Sequence, residues 1–153
     1  MDSSDAKLRE RIDYSKQDIT EGARRINGGV FSADIDTTSP IAFGLHNRKI
    51  YFTKNSQTIL QPSRNKYANV AVYDGNSYVG GYVSKKNQAK INNTAAILIS
   101  GEGSGRIILF ADDPTYRSYW HGTDRLLLNA IFFGPQISVN SGFQGGGEEE
   151  AEQ

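Results

Sequence analysis

The chain has 153 residues, enough to bury one core and few enough to make a single domain the default. Its 17 Lys+Arg balance 17 Asp+Glu, so no net field recruits nucleic acid or an anionic membrane. Without cysteine the chain has no disulfide, thiolate nucleophile or thiolate metal site, and no apolar run approaches the ~18 residues of a membrane span.

The N-terminus, Met1-Asp2-Ser3-Ser4-Asp5, has neither the basic nor the apolar region of a signal peptide. Residues 1–29 are polar and mixed in charge. Ala6–Tyr14 predicts one short helix, weakly docked because only Leu8 and Ile12 share an apolar face. Ile19–Asn27 has no clear period, and Asn27-Gly28-Gly29 reads as a turn.

From Val30 the pattern becomes that of strands. Val30–Ile35 alternates, with Phe31, Ala33 and Ile35 on one face, and Asp36–Pro40 is a polar loop. Ile41–Leu45, Lys49–Thr53 and Thr58–Leu60 are short strand candidates. Val70, Val72 and Tyr78 flank Asp74-Gly75-Asn76, which predicts a hairpin turn with positive φ at Gly75. Ser84 is placed to cap a short helix over Lys85–Ile91. Ala95–Ile99 reads as a buried strand, and Gly101–Gly105 as a flexible hairpin turn. That glycine run lacks the Lys-Ser/Thr of a phosphate loop and joins two strands, not a strand to a helix.

The chain is organised around Gly105–Pro135. Ile107–Phe110 is a continuous apolar run that predicts a strand buried on both faces. It stops at Asp112-Asp113-Pro114, where proline forces a turn. Gly122-Thr123-Asp124 then opens a helix in which Leu127, Ala130 and Ile131 recur at helical spacing; Thr123 is the predicted cap and Gly134-Pro135 the stop. Sites in open α/β sheets form past the ends of strands, so the loop Asp112–Thr123 is the predicted site. The tail, 138–153, runs from Ser141 into glycine and then acids and is expected to be disordered.

The segments Asp34–Gly44 (DIDTTSPIAFG), Gly81–Ala89 (GYVSKKNQA) and above all GRIILFADDPTYRSYWHGTDRLLLNAIFFGP resemble the C-terminal domain of bacterial zinc carboxypeptidases of the carboxypeptidase A type. That domain is similar to class I glutamine amidotransferases. The resemblance covers roughly Arg25–Ile137. It implies a later portion of the amidotransferase-like fold over residues 30–137, without the peptidase domain, in a parent protein that is exported. The family holds zinc with a His-x-x-Glu pair and a distant second His. This chain has only His46 and His121, neither followed by Glu three residues on, so no cofactor is expected in the chain and zinc belongs to the absent peptidase domain. The amidotransferase cysteine is missing, and Asp112-Asp113-Pro114 stands where the His-Pro-Glu of those enzymes would be. Aspartate is not the imidazole base that thiol activation near neutral pH requires.

Asp112 and Asp113 are either functional carboxylates or turn formers. Adjacent side chains on an extended segment point opposite ways, which favours one of them accepting backbone amides. Tyr116, Tyr119 and Trp120, with His121, are either a stacking platform or an amphipathic cover of the core. Arg117 and Arg125 either clamp a ligand carboxylate or pair with Asp113 or Asp124. The expected fold is a β-rich α/β domain, a mixed sheet with one well-buried C-terminal helix and one or two lesser helices. The expected function is a non-catalytic accessory domain that packs on the peptidase domain or another protein. The alternative is a small-ligand or carbohydrate-binding module using Asp112, Asp113, Tyr116, Arg117, Tyr119, Trp120 and His121. No nucleic-acid or membrane partner is expected.

Overall fold

A computed structural model describes residues 13–118 and 121–138. Five strands form one sheet: β1 (Gly29–Ile35), β2 (Lys49–Lys54), β3 (Asn69–Gly80), β4 (Ala95–Glu102) and β5 (Gly105–Phe110), in the order β2-β1-β3-β4-β5. Every neighbouring pair is antiparallel, which corrects the expected mixed sheet. The reason lies in the connections. The one helix between sheet neighbours, α2 (Lys85–Ile91), joins β3 to β4. Seven residues of helix rise only about 10 Å, too little to carry the chain back along a strand of roughly 40 Å for a parallel crossover.

The alternation read in β1 holds: Phe31, Ala33 and Ile35 are fully buried. Phe31 and Phe52 each meet Tyr73 edge-to-face at 6.1 Å between ring centroids, and Phe31 meets Tyr78 at 5.9 Å. These rings make an apolar floor under one end of the sheet. Ala95–Ile99 is the buried strand expected.

Two strand features differ from the sequence reading. Asp74-Gly75-Asn76 is not a turn, since β3 runs on to Gly80. Its pairing with β1 steps from Tyr73↔Ala33 to Tyr78↔Phe31, so five steps of β3 face two of β1. The surplus is absorbed as a bulge, pinned where Ser32 donates its hydroxyl to Asp74 and where Asn92 accepts from Ser77 N and Oγ. β5 is an edge strand whose residues are alternately exposed and half-buried, not a strand buried on both faces. Its hairpin with β4 leaves one side without a neighbouring strand among the described residues. The two-residue turn there has Gly103 at φ 56°.

Other expectations shift locally. Ile41–Leu45 is not a strand; Pro40–Ala42 forms a 3-10 turn in which Ser39 Oγ accepts from Ile41 N. Thr58–Leu60 contributes a single bridge, Leu60 to Ala95. Ser84 caps α2 as read, accepting from Asn87 N. The helix expected at Ala6–Tyr14 lies, up to residue 12, outside the described residues. A helix α1 does occupy Gln17–Arg24, where no period was legible, and it buries no residue. Its last carbonyls, those of Ala23 and Arg24, are met by the Asn87 amide at 3.3 Å, and Ile26 anchors the exit.

The C-terminal helix α3 spans His121–Phe133, so Thr123 lies inside it and does not cap it. Its buried residues are Thr123, Leu126 and Asn129, while Ile131 is exposed, so "well-buried" overstates it. Polar bonds fasten it. Asn129 Nδ2 donates to Ile41 O at 2.8 Å and Phe43 O at 2.9 Å, and Arg125 donates to Gly44 O at 2.8 Å. The tail from residue 139 lies outside the described residues.

Candidate functional site

The end of β2 and the end of β5 belong to opposite edges of the sheet, yet curling of the sheet brings them together. Lys54, the last residue of β2, shares its face with Phe52 and is carried inward by the strand's alternation. Asp112, two residues past β5, meets it: Lys54 Nζ lies 2.8 Å from Asp112 Oδ2, with side-chain exposures of 1% and 2%. Lys54 also donates to Thr58 O at 2.6 Å. Ser56 Oγ reaches Asp112 Oδ1 at 3.0 Å, and Tyr73 donates its hydroxyl to Asp112 Oδ2 at 2.9 Å. Burial, with the Asp112 charge and hydrogen bond behind it, pushes the Tyr73 phenol above its ordinary value, so Tyr73 is held as a proton donor. Asp112 is thereby held by two donors on Oδ2, Lys54 among them, and one on Oδ1, in a buried pocket.

Asp113 points the other way, as adjacency requires. Its Oδ1 accepts from Thr115 N at 2.8 Å and Thr115 Oγ1 at 2.7 Å. Asp36 makes the same Asp-x-Thr turn with Thr38, at 2.9 and 2.6 Å. Both are turn formers; the sequence offered that use for one of the Asp112-Asp113 pair, and the structure gives it to Asp113. The Thr123 hydroxyl donates to Pro114 O and ties the turn to α3. Tyr116 is half-buried, and the Arg117 guanidinium stands 5.3 Å from its ring centroid. Arg117 therefore lies on its tyrosine neighbour. It and Ser118 adopt φ 51° and 53°, left-handed backbone that reverses the chain ahead of α3. His121 is exposed at the start of α3, its Nδ1 3.5 Å from Asp124 Oδ2. Tyr119 and Trp120 lie outside the described residues.

The structure thus divides the candidate residues. Asp112 is interior, Asp113 and Arg117 stand outside, and His121 opens a helix. None of these lines a neighbouring cleft of about 180 Å³ formed by Leu45, Ile50, Tyr51, Gly122, Thr123 and Leu126. That cleft is nearly all apolar and smaller than the few hundred Å³ typical of a small-molecule site. Among the described residues no three His, Asp or Glu side chains stand together to hold a metal ion. The strand-end rule that singled out this loop belongs to open α/β sheets built on parallel strands, and this sheet is antiparallel.

Sequence reasoning missed Lys54, Ser56 and Tyr73, the partners that define the character of Asp112. A signal was present. A lysine two positions after Phe52 on an alternating strand must point inward, and an inward lysine requires a carboxylate. Comparison of the chain with protein-family models, with curated proteins and with solved structures gives no match.

Proposed function

We propose that this chain is a non-catalytic packing module, an accessory domain serving a larger assembly. The observation that carries this reading is the state of Asp112. The carboxylate best placed to act at a strand end is paired with Lys54, bonded through both of its oxygens and closed off from solvent. A group so enclosed stabilises structure and has no access to substrate. Asp113 and Arg117 are likewise engaged with residues one or two positions away.

The sharper form of the proposal, an accessory domain of a zinc carboxypeptidase packing on the peptidase domain, rests on the resemblance of the three sequence blocks. A reading frame encoding a peptidase domain with a His-x-x-Glu pair upstream of this segment would support it. An unrelated or absent upstream domain would remove it.

The catalytic question has a direct test. The purified chain is assayed for peptidase and glutaminase turnover with and without added zinc. The expected result is no turnover above buffer, and turnover that disappears in His121→Ala, which leaves the Lys54–Asp112 pair intact, would overturn the non-catalytic reading. A ligand-binding role for the loop would depend on Tyr119 and Trp120, because Tyr116 already carries Arg117 on its ring. Ligand-dependent thermal shifts abolished by Trp120→Ala would favour that role instead.

A further inference from the structure

The two edges of the sheet are unlike. The β2 edge presents Lys49 and ends beside the Arg48–Asp34 ion pair, a charged border that discourages strand addition. Among the described residues the β5 edge has no such ion pair; its one charged side chain, Arg106, donates to Ile137 O beyond α3. Its sequence, Gly-Arg-Ile-Ile-Leu-Phe, carries one charge, no proline and an unbroken register with β4 from Gly105 to Phe110. Ala111 N donates to Ala96 O in that register. Alternation along an antiparallel pair then assigns the inward hydrogen bonds to Leu109, Ile107 and Gly105. The N–H and C=O groups of Arg106, Ile108 and Phe110 point outward, and none has a backbone partner among the described residues. Apolar surface borders this open edge. On one face of the sheet Ile107 is 46% and Leu109 38% exposed. The helix beside the other face, α3, leaves Leu128, Ile131 and Phe132 uncovered.

We propose that β5 pairs with β5 of a second copy of this chain, antiparallel about a two-fold axis at Ile108, to make a continuous ten-stranded sheet. The strand is self-complementary about that point. Ile108 meets its own equivalent, and Arg106 meets Phe110 of the second copy, so the three outward residues form three reciprocal pairs and about six backbone hydrogen bonds. Ile107 comes to lie opposite Leu109 of the second copy on the exposed face. The electrostatics permit it. The single charge on the edge, Arg106, donates to Ile137 O and Gly105 O of its own chain, and its two copies stand roughly 14 Å apart, beyond a Debye length at ordinary salt. With 17 positive and 17 negative residues there is no net repulsion between copies. This pairing goes beyond the packing role proposed above and is independent of it: a monomer can still serve as an accessory domain, and a dimer can still be an enzyme.

The test uses the full chain. Sedimentation or light scattering across the micromolar range is expected to show a monomer–dimer equilibrium. Amide exchange read residue by residue is expected to protect Arg106, Ile108 and Phe110 in the dimer and to release them on dilution. The double variant Ile107→Lys/Leu109→Lys sets like charges opposite each other at two positions that are exposed in the monomer. It should weaken association by about tenfold or more while leaving the monomer's thermal midpoint in place. If that variant does not fold, Leu109→Lys alone is read in the same way. The proposal is overturned by a wild type that stays monomeric at every concentration, by a dimer whose Arg106, Ile108 and Phe110 amides exchange freely, or by a dimer that the lysine variants leave unchanged.

Discussion

Lys54 Nζ stands 2.8 Å from Asp112 Oδ2, and the two residues hang from opposite edges of one five-stranded sheet. The pair is a clasp. It fixes the curl of the sheet by joining the end of β2 to the end of β5, and the Phe31, Phe52 and Tyr73 rings beside it keep water out. Removing one partner leaves a buried, uncompensated charge. Lys54→Met or Asp112→Leu alone should therefore cost about 3–5 kcal/mol in urea unfolding. The double variant Lys54→Met/Asp112→Leu should recover most of that loss, because no lone charge remains. A double variant as unstable as the sum of the singles would contradict the clasp.

Tyr73 should give the alkaline limb of stability a recognisable shape. Its folded-state pKa is raised, mainly by burial. Its contribution is therefore fully present below the ordinary tyrosine pKa, about 10, and falls as pH rises beyond it. Ultraviolet titration should find one of the chain's tyrosines failing to ionise with the rest until the protein unfolds. Tyr73→Phe should abolish that delayed step. At the acid end the sign reverses. Arg48, through its hydrogen bond and charge, holds Asp34 below the usual carboxylate range, so that contribution is present near neutrality and lost in acid. Because the Asp34–Arg48 pair is exposed, salt should shrink its effect.

Gly81 is a position where only glycine fits. Its φ is +95°, and a Cβ there would lie 2.6 Å from Gly28 O and 2.9 Å from Gly29 Cα, both backbone atoms that cannot swing aside. Gly81→Ala should cost more than about 1 kcal/mol and lower the thermal midpoint. Gly80→Ala next door meets nothing within 4 Å and has ordinary φ, so it serves as the control.

Asn129 holds α3 to the loop after β1 through two bonds from one amide, to Ile41 O and Phe43 O. Asn129→Ala should destabilise by about 2 kcal/mol, two hydrogen bonds at roughly 1 kcal/mol each. Amide exchange in the Ile41–Leu45 segment should rise before the rest of the sheet responds. Uniform loss of protection would mean that the docking is not local.

The Ser84 cap belongs to a short helix with few other supports. Ser84→Ala should cost about 1 kcal/mol, and Ser84→Asp should restore most of it, since aspartate also accepts from the Asn87 amide. Circular dichroism with thermal unfolding separates the two.

Much of the secondary structure was legible because it follows from local patterns. The alternation of Phe31, Ala33 and Ile35, the Ser84 cap and the Gly103-Ser104 hairpin each depend on neighbours within a few residues. The misreadings arose where a distant group decided. Asp74-Gly75-Asn76 has turn chemistry, but Ser32 and Asn92 hold it in a strand. Ile107–Phe110 has the composition of an interior strand, yet the hairpin leaves it at an edge, a matter of sheet order that no apolar count reveals. Of the candidate loop, a turn role for one of Asp112 and Asp113 was readable from the proline that follows; which of the two was not. The fate of Asp112 was not readable, because its partners lie 39, 56 and 58 positions away in sequence.

By itself the sequence determined that the chain is rich in strands, that Asp112 and Asp113 face opposite ways, and that it carries no thiol. These follow from composition and from the two-residue period of extended backbone. Only the tertiary structure decided that the strands pair antiparallel, that β5 is an edge of the sheet, and that Asp112 is locked to Lys54. Those outcomes depend on which strands lie side by side and on how far the sheet curls, properties of the whole chain that no local stretch encodes.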